Sequence, residues 1–380
     1  MEIYIVQPGD TVDSIAWEQG VPVDTILYNN QIPFPFQLAI GQALLLSKGE
    51  KPEDAPPLFS GGYAYPFISP YVLEETLPYL TDLYVFSYGF TPDGDLISPA
   101  LDDSFMIESA KRYRVSPILT LTPFGPDGQF SNYLISRMVN DPNAQNNLIR
   151  QLLDTLQEKG FQGVDIDFEY ILPQDRVAFA EFVGHVRQAV NTLGYPVSIA
   201  LAPKISDNQP GLLYEGKDFA LLGEAADTAL LMTYEWGYTY GPPMAVAPLN
   251  KVREVLDYAI TRIPPQKLSL GIPNYGYDWT LPFVRGQSKA RTIGNVEAIQ
   301  IAVDNQASIQ FDPIAQSPYF TYWRDGLEHE VWFEDVRSLQ AKFALIPEYG
   351  LRGAGYWQIM QLFRANWLLL ADTFWIQKQS

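Results

Sequence analysis

The chain has 380 residues, 47% hydrophobic and 18% charged, with a formal charge of −19 and no cysteine. That content excludes intrinsic disorder, a disulfide framework, a thiolate nucleophile and cysteine-based zinc sites. The acidic balance excludes nucleic acid and anionic membrane surfaces, which need clustered Lys and Arg, and it points to a neutral ligand.

In chain order, residues 1–47 read as strand, helix, helix, strand. "IYIVQPGDT" is a short alternating run closed by the turn signal Pro8-Gly9-Asp10. Thr11 or Asp10 can cap the helix "VDSIAWEQG". "PVDTILYNNQ" is a second short helix ending at Asn29-Asn30, and "LAIGQALLLS" a closing strand. Residues 48–58, charged and Pro-rich, read as a linker. The start, "MEIYIVQPGD", has neither a basic n-region nor an apolar h-region, so no secretory signal is expected. No apolar run approaches the ~18 residues of a membrane span.

From Phe59 onward, apolar runs alternate with helical patterns. The strand candidates are "FSGGYAY", "LYVFSYGF", "VSPILTLTP", "GVDIDFEY", "VSIALAP", "ALLMTYEW", "LSLGIPNYGY" and "GAGYWQI". Helical periodicity covers 131–159, 173–194, 248–263 and 334–349. Eight strands in βα alternation predict an α/β fold, a TIM (β/α)8 barrel over 59–380. Residues 280–333 exceed what one crossover helix needs, and their alternation predicts a small antiparallel hairpin inserted between strands seven and eight. A doubly wound sheet fits less well, because no glycine-rich phosphate loop follows a strand. His185 falls in a helical stretch and His329 in a loop-like one. Neither has a G-x-S-x-G elbow to serve, so both are expected to be structural.

The informative stretch is "FQGVDIDFEY", residues 161–170. On a strand, Asp165, Asp167 and Glu169 share one face, each about 6.6 Å from the next. A parallel strand in a βα fold is covered on both faces, so the acids must point into the barrel. Like charges that close cannot all ionise cheaply, so at least one carboxyl pKa rises towards what a general acid needs. Glu169 is at the C-terminal end, the catalytic face of such barrels. Residues on one straight strand fan along a line and do not wrap an ion, so no metal is expected, and nothing calls for a cofactor.

These residues resemble the D-G-x-D-x-D-x-E signature of family 18 glycoside hydrolases, the chitinase-like barrels. The resemblance covers roughly 59–375. It implies that Glu169 protonates the glycosidic oxygen, that Asp167 orients the substrate acetamido group, and that Asp165 stores a proton. The first Asp of the signature is replaced by Gln162. "LLMTYEWG" resembles the family's M-x-Y-D element, which implies that Tyr234 bonds the acetamido oxygen, with Glu235 where Asp is usual. "GYWQ" resembles the last strand, whose Trp floors the sugar site, here Trp357. Tyr65, Asn274 and Tyr277 are candidates for the cleft or for purely structural roles. With all acids on one strand and one side of the bond, the nucleophile implied is the substrate's own acetamido oxygen, an exception to the two-carboxylate scheme.

"VQPGDTVDSIA", "NN" and "LAIGQALLL" resemble a LysM module, which binds N-acetylglucosamine chains. By that resemblance Gly9, Asp10, Thr11 and the stretch Asn30 to Ile32 line its groove. The expected partner is a polysaccharide containing N-acetylglucosamine, peptidoglycan or chitin. The pairing of LysM with this barrel, and "LLMTYEWGYTYGPP", resemble the bacterial spore cortex-lytic N-acetylglucosaminidases. That implies a spore or cell-wall location reached without a classical signal peptide, and cleavage after N-acetylglucosamine and not after muramic lactam, whose ring-locked nitrogen has no free acetyl group. A chitinase, or a non-catalytic lectin on the same barrel, stays open as the alternative.

Overall fold

The computed structural model describes residues 2–46, 53–124 and 130–378. The N-terminal module pairs strand Ile3–Ile5 antiparallel with Ala43–Leu45, with helices Val12–Gln19 and Val23–Asn30 packed on that ribbon. Thr11 starts the first helix. Its Oγ1 accepts from Ser14 N and its own N–H donates to Ser14 Oγ, both at 3.0 Å, a reciprocal cap that satisfies two orphan donors. Val6, Ile15, Val21, Ile26 and Leu44 form the module's core.

Eight parallel strands close the barrel: Pro57–Ala64, Asp82–Phe90, Ser116–Leu121, Val164–Ile166, Val197–Leu201, Thr228–Leu231, Leu268–Pro273 and Gly353–Trp357. Each pairs with the next and the eighth pairs with the first, so the cylinder has no free edge. The fourth is paired only as far as Ile166. Asp167 and Glu169 run on past the ladder towards the rim, with Asp167 N donating to Leu121 O at 2.9 Å.

Several expectations change. The periodicity over 131–159 is two helices, Asn132–Asn140 and Pro142–Lys159. Asp141 caps the second by accepting from Asn143 N and Ala144 N, and Pro142 has no N–H with which to continue the first. The insertion is larger than a hairpin. It is a five-stranded antiparallel sheet plus helix Asn295–Asp304, and it starts at Gly276, so "LSLGIPNYGY" divides between barrel strand seven and the first insert strand, Gly276–Thr280. His329 lies in insert strand Leu327–Trp332 and not in a loop, its Nδ1 2.8 Å from Asp278 Oδ1. His185 lies in helix Arg176–Asn191, its Nδ1 3.0 Å from Gln145 Oε1.

Part of the predicted linker, 48–52, lies outside the described residues. Its end does not: Pro57 and Leu58 belong to strand one and pair with Trp375 and Ile376. The module is fastened to the barrel. Arg364 N donates to Gln31 Oε1 at 2.6 Å, and the Arg364 guanidinium lies 4.1 Å from the Tyr28 ring centroid. No helix among the described residues is long and apolar enough to cross a membrane.

Candidate active site

The acid row begins inside the barrel. Asp165 is fully buried, its Oδ1 accepting from Ser198 Oγ at 2.6 Å and its Oδ2 from Tyr63 OH at 2.9 Å. Burial raises its pKa to about 6, against the opposing pull of those two bonds and of Lys217. Asp167 is also buried, and its Oδ1 has no hydrogen-bond partner among the described residues. Burial first, then the charges of Glu169 and Asp165, push its carboxyl well above the usual range. Glu169 is half-buried at the end of the row, and burial raises it too, with Lys217 opposing. Three carboxyls that share so dry a site share protons as well, which keeps an acid available near neutral pH.

Lys217 was not anticipated, because "YEGKDF" reads as an ordinary loop. It is fully buried, and its Nζ donates to Ala200 O at 3.1 Å. Burial lowers its pKa, while Glu169, Asp167 and Asp165 pull it back up. It is a cation behind a row of acids.

Above the row opens a cleft of about 600 Å³, within the usual size of ligand sites. Asp167, Glu169, Tyr234, Glu235, Tyr65 and Trp357 all line it, so six of the predicted residues meet in one place. Tyr234 is nearly buried. Trp357 ends barrel strand eight, held edge-on by Phe86 at 4.9 Å and by Tyr65 at 6.1 Å between ring centroids. Phe86, Phe124, Tyr214 and Trp236 are among the further aromatics of its walls. They were missed because an aromatic in a strand or loop carries no mark that separates wall from core.

Two cleft candidates act from behind. Tyr277 is buried, and its hydroxyl donates to Glu235 Oε1 at 2.9 Å, beside a second bond from Tyr275. Glu235 sits at φ 68°, the left-handed region that costs a non-glycine residue of order 1–3 kcal/mol, and the two phenols hold its carboxylate in place. Asn274 does not line the cleft. It is buried, and its Nδ2 donates to Gln358 O at 3.1 Å and to Gln361 O at 2.8 Å, which fixes the segment after Trp357.

The module residues separate likewise. Asp10 and Thr11 line an open groove, Asp10 also accepting from Tyr4 OH and Gln7 N. Gly9 turns the chain beside it at φ 91°. Asn30 and Ile32 do not reach the groove. Asn30 is buried and spans the module, exchanging hydrogen bonds with Leu45 N and O, and Ile32 is packed into its core.

Comparison with known proteins decides the family. The model for glycosyl hydrolases family 18 matches residues 83–361, and the LysM domain model matches 4–47. The chain belongs to glycosyl hydrolase family 18. It is a glycoside hydrolase with an N-terminal LysM domain. It is similar to the cortical fragment-lytic enzyme of Bacillus subtilis (strain 168), 35% identical over 432 aligned positions covering 100% of both chains. To the Bacillus cereus protein of that name it is 40% identical over 303 residues, 80% of this chain and 70% of that one. The crystal structure of the Bacillus megaterium QM B1551 spore cortex-lytic enzyme SleL superposes with a TM-score of 0.93 at 32% identity, covering 99% of this chain and 98% of that one. A chitinase from Chromobacterium violaceum, at 23% identity and a TM-score of 0.76, covering 83% of this chain and 98% of its own, shares the family 18 fold.

Proposed function

We propose that the protein hydrolyses β-1,4 bonds following N-acetylglucosamine in spore cortex peptidoglycan, with retention, using the substrate's acetamido group as nucleophile. The observation that carries this reading is Asp167 Oδ1, a buried acceptor in the mouth of the barrel with no partner among the described residues. Leaving such an atom unpaired costs of order 1–3 kcal/mol, and an acetamido N–H satisfies it. Tyr234 then donates to the acetamido carbonyl oxygen and aims it at the anomeric carbon. Glu169 gives its proton to the glycosidic oxygen as that bond breaks. The acetamido oxygen forms the new bond to the anomeric carbon, producing an oxazolinium ion and a free leaving-group hydroxyl. Water adds to the anomeric carbon, reopening the ring, and Glu169 takes the water's proton back. Asp165, protonated in part near neutral pH, accommodates charge changes on Asp167.

Glu235 is the other carboxylate of the cleft, but two phenols already donate to its Oε1. That engagement suits a sugar contact better than a nucleophile. The spore cortex as substrate, and the spore wall as workplace, rest on likeness to cortex-lytic proteins over the whole chain and on the requirement for a free N-acetyl group, which muramic lactam lacks.

Glu169→Gln keeps the shape and loses the proton. Its turnover on cortex fragments is expected to fall at least 10²–10⁴-fold with binding retained; wild-type turnover in that variant overturns the assignment. Mass spectrometry of cortex digests names the bond, since products should end in N-acetylglucosamine. Ready digestion of colloidal chitin with no product from cortex would favour the chitinase reading, and binding of both without cleavage the lectin reading.

A further inference from the structure

A second cavity, about 860 Å³ and larger than the catalytic cleft, lies between the LysM module and the inserted subdomain. One wall is module: Asp10 to Asp13 at the start of the first helix, and the segment Pro35–Ile40. The other wall is insertion: the end of helix Asn295–Asp304 and the turn that follows it, to Ser308. The two walls are built as one piece. Ile309 N donates to Ile40 O at 2.8 Å, and Arg337 Nη2, from barrel helix Val336–Tyr349, donates to Gly41 O at 3.2 Å and ties the module to the barrel beside it. Gly41 has φ 81°, and a Cβ there would stand 1.9 Å from Ile309 O, so only glycine permits the approach. Ala39 of the module packs into the insertion's own core, with Ala298, Ile301, Ala302 and Ile309.

We infer that this cavity is a composite glycan-binding cleft, in which the insertion supplies a second wall for the strand held by the LysM module. It rests on the reading that the protein's polymer carries N-acetylglucosamine, and it adds that the module does not hold that polymer alone. The lining chemistry selects the ligand. No Lys or Arg among the described residues lines it, so it does not suit an anion. Asp10, Asp13, Asp304, Gln37 and Gln306 offer acceptors at the rim, while Val12, Phe36, Leu38, Ile40 and Val303 offer apolar surface. A neutral chain with N–H and O–H donors at its edges and C–H faces between matches both halves. Because the walls are locked, a strand gripped here is held in a fixed orientation to the barrel.

The test uses the full chain carrying Glu169→Gln and the β-1,4-linked tetramer of N-acetylglucosamine, read by hydrogen–deuterium exchange. Added tetramer is expected to slow exchange in both 35–41 and 302–309. Ser308→Trp, which places bulk on the insertion wall alone, is expected to abolish that protection at tetramer concentrations tenfold above those that saturate the parent. Protection confined to the module segment, or absent from both, overturns the composite cleft. So does equal protection by calcium or magnesium alone, which would make the three acids a cation site. Exchange in 164–170 and 230–238 reports the catalytic cleft separately, so failure there counts against the catalytic reading and not against this one.

Discussion

The Tyr63 hydroxyl donates to Oδ2 of Asp165 at 2.9 Å, joining barrel strand one to barrel strand four at the base of the acid row. With Ser198, it favours the ionised form of a carboxyl that burial drives towards the neutral one. Tyr63→Phe removes that bond and keeps the ring stacked on Tyr84, 4.5 Å away. The Asp165 pKa should rise further, and kcat on cortex fragments should fall about 10–100-fold with KM little changed, the worth of one hydrogen bond to a charged group. A pH–rate profile whose acid limb stays in place would count against this role.

Asp165 also sets a stability window. Its folded pKa of about 6 lies above the ordinary value of 3.8, so the folded state binds more protons than the unfolded one between those limits. The stabilisation it offers is complete below about pH 4 and is lost as pH rises through about 6. Asp165→Asn has no charge to bury but accepts on one oxygen only, where Asp165 accepts from both Ser198 and Tyr63, so its stability relative to the wild type should be highest at pH 7 and fall towards pH 4. Melting curves at the two pH values check it, and activity should be lost.

Lys217 opposes the upward shifts of Asp165, Asp167 and Glu169. In Lys217→Met those carboxyls should bind protons more tightly, and both limbs of the pH–rate profile should move to higher pH. The freed carbonyl of Ala200 should cost about 1–3 kcal/mol in stability. A purely structural lysine would lower the melting temperature and leave the limbs where they were.

Trp357 lines the cleft, where we propose it floors the sugar site, and Asn274 holds the segment behind it through the carbonyls of Gln358 and Gln361. Trp357→Ala should raise KM roughly 10–100-fold, as expected when an aromatic platform worth about 1–3 kcal/mol is lost. Asn274→Ala should act in the same direction and more weakly. Equal KM values for wild type and Trp357→Ala on cortex glycan would remove the floor from the account.

The barrel and the acid row were legible along the chain because both follow from local rules. Eight apolar runs in βα alternation can bury their two faces in few ways, and a period of two puts Asp165, Asp167 and Glu169 on one side whatever the rest of the fold does. The boundaries were less legible. Asp141 competes for backbone donors within a helical period, and the insert's first strand, Gly276–Thr280, follows barrel strand seven too closely to be told apart from it.

By itself, then, the sequence determined the fold class, the row of carboxylates and the two aromatic-flanked motifs around Tyr234 and Trp357, because each is written in neighbouring residues. Only the tertiary structure decided that Lys217 is buried behind the acids, that Asn274 braces the site from outside it, that Asn30 and Ile32 are interior to the module, and that the module and the insertion share a cleft. Those facts depend on contacts between segments far apart in the chain. Burial, charge pairing and the closeness that Gly41 allows are properties of the packed whole, and no local pattern encodes them.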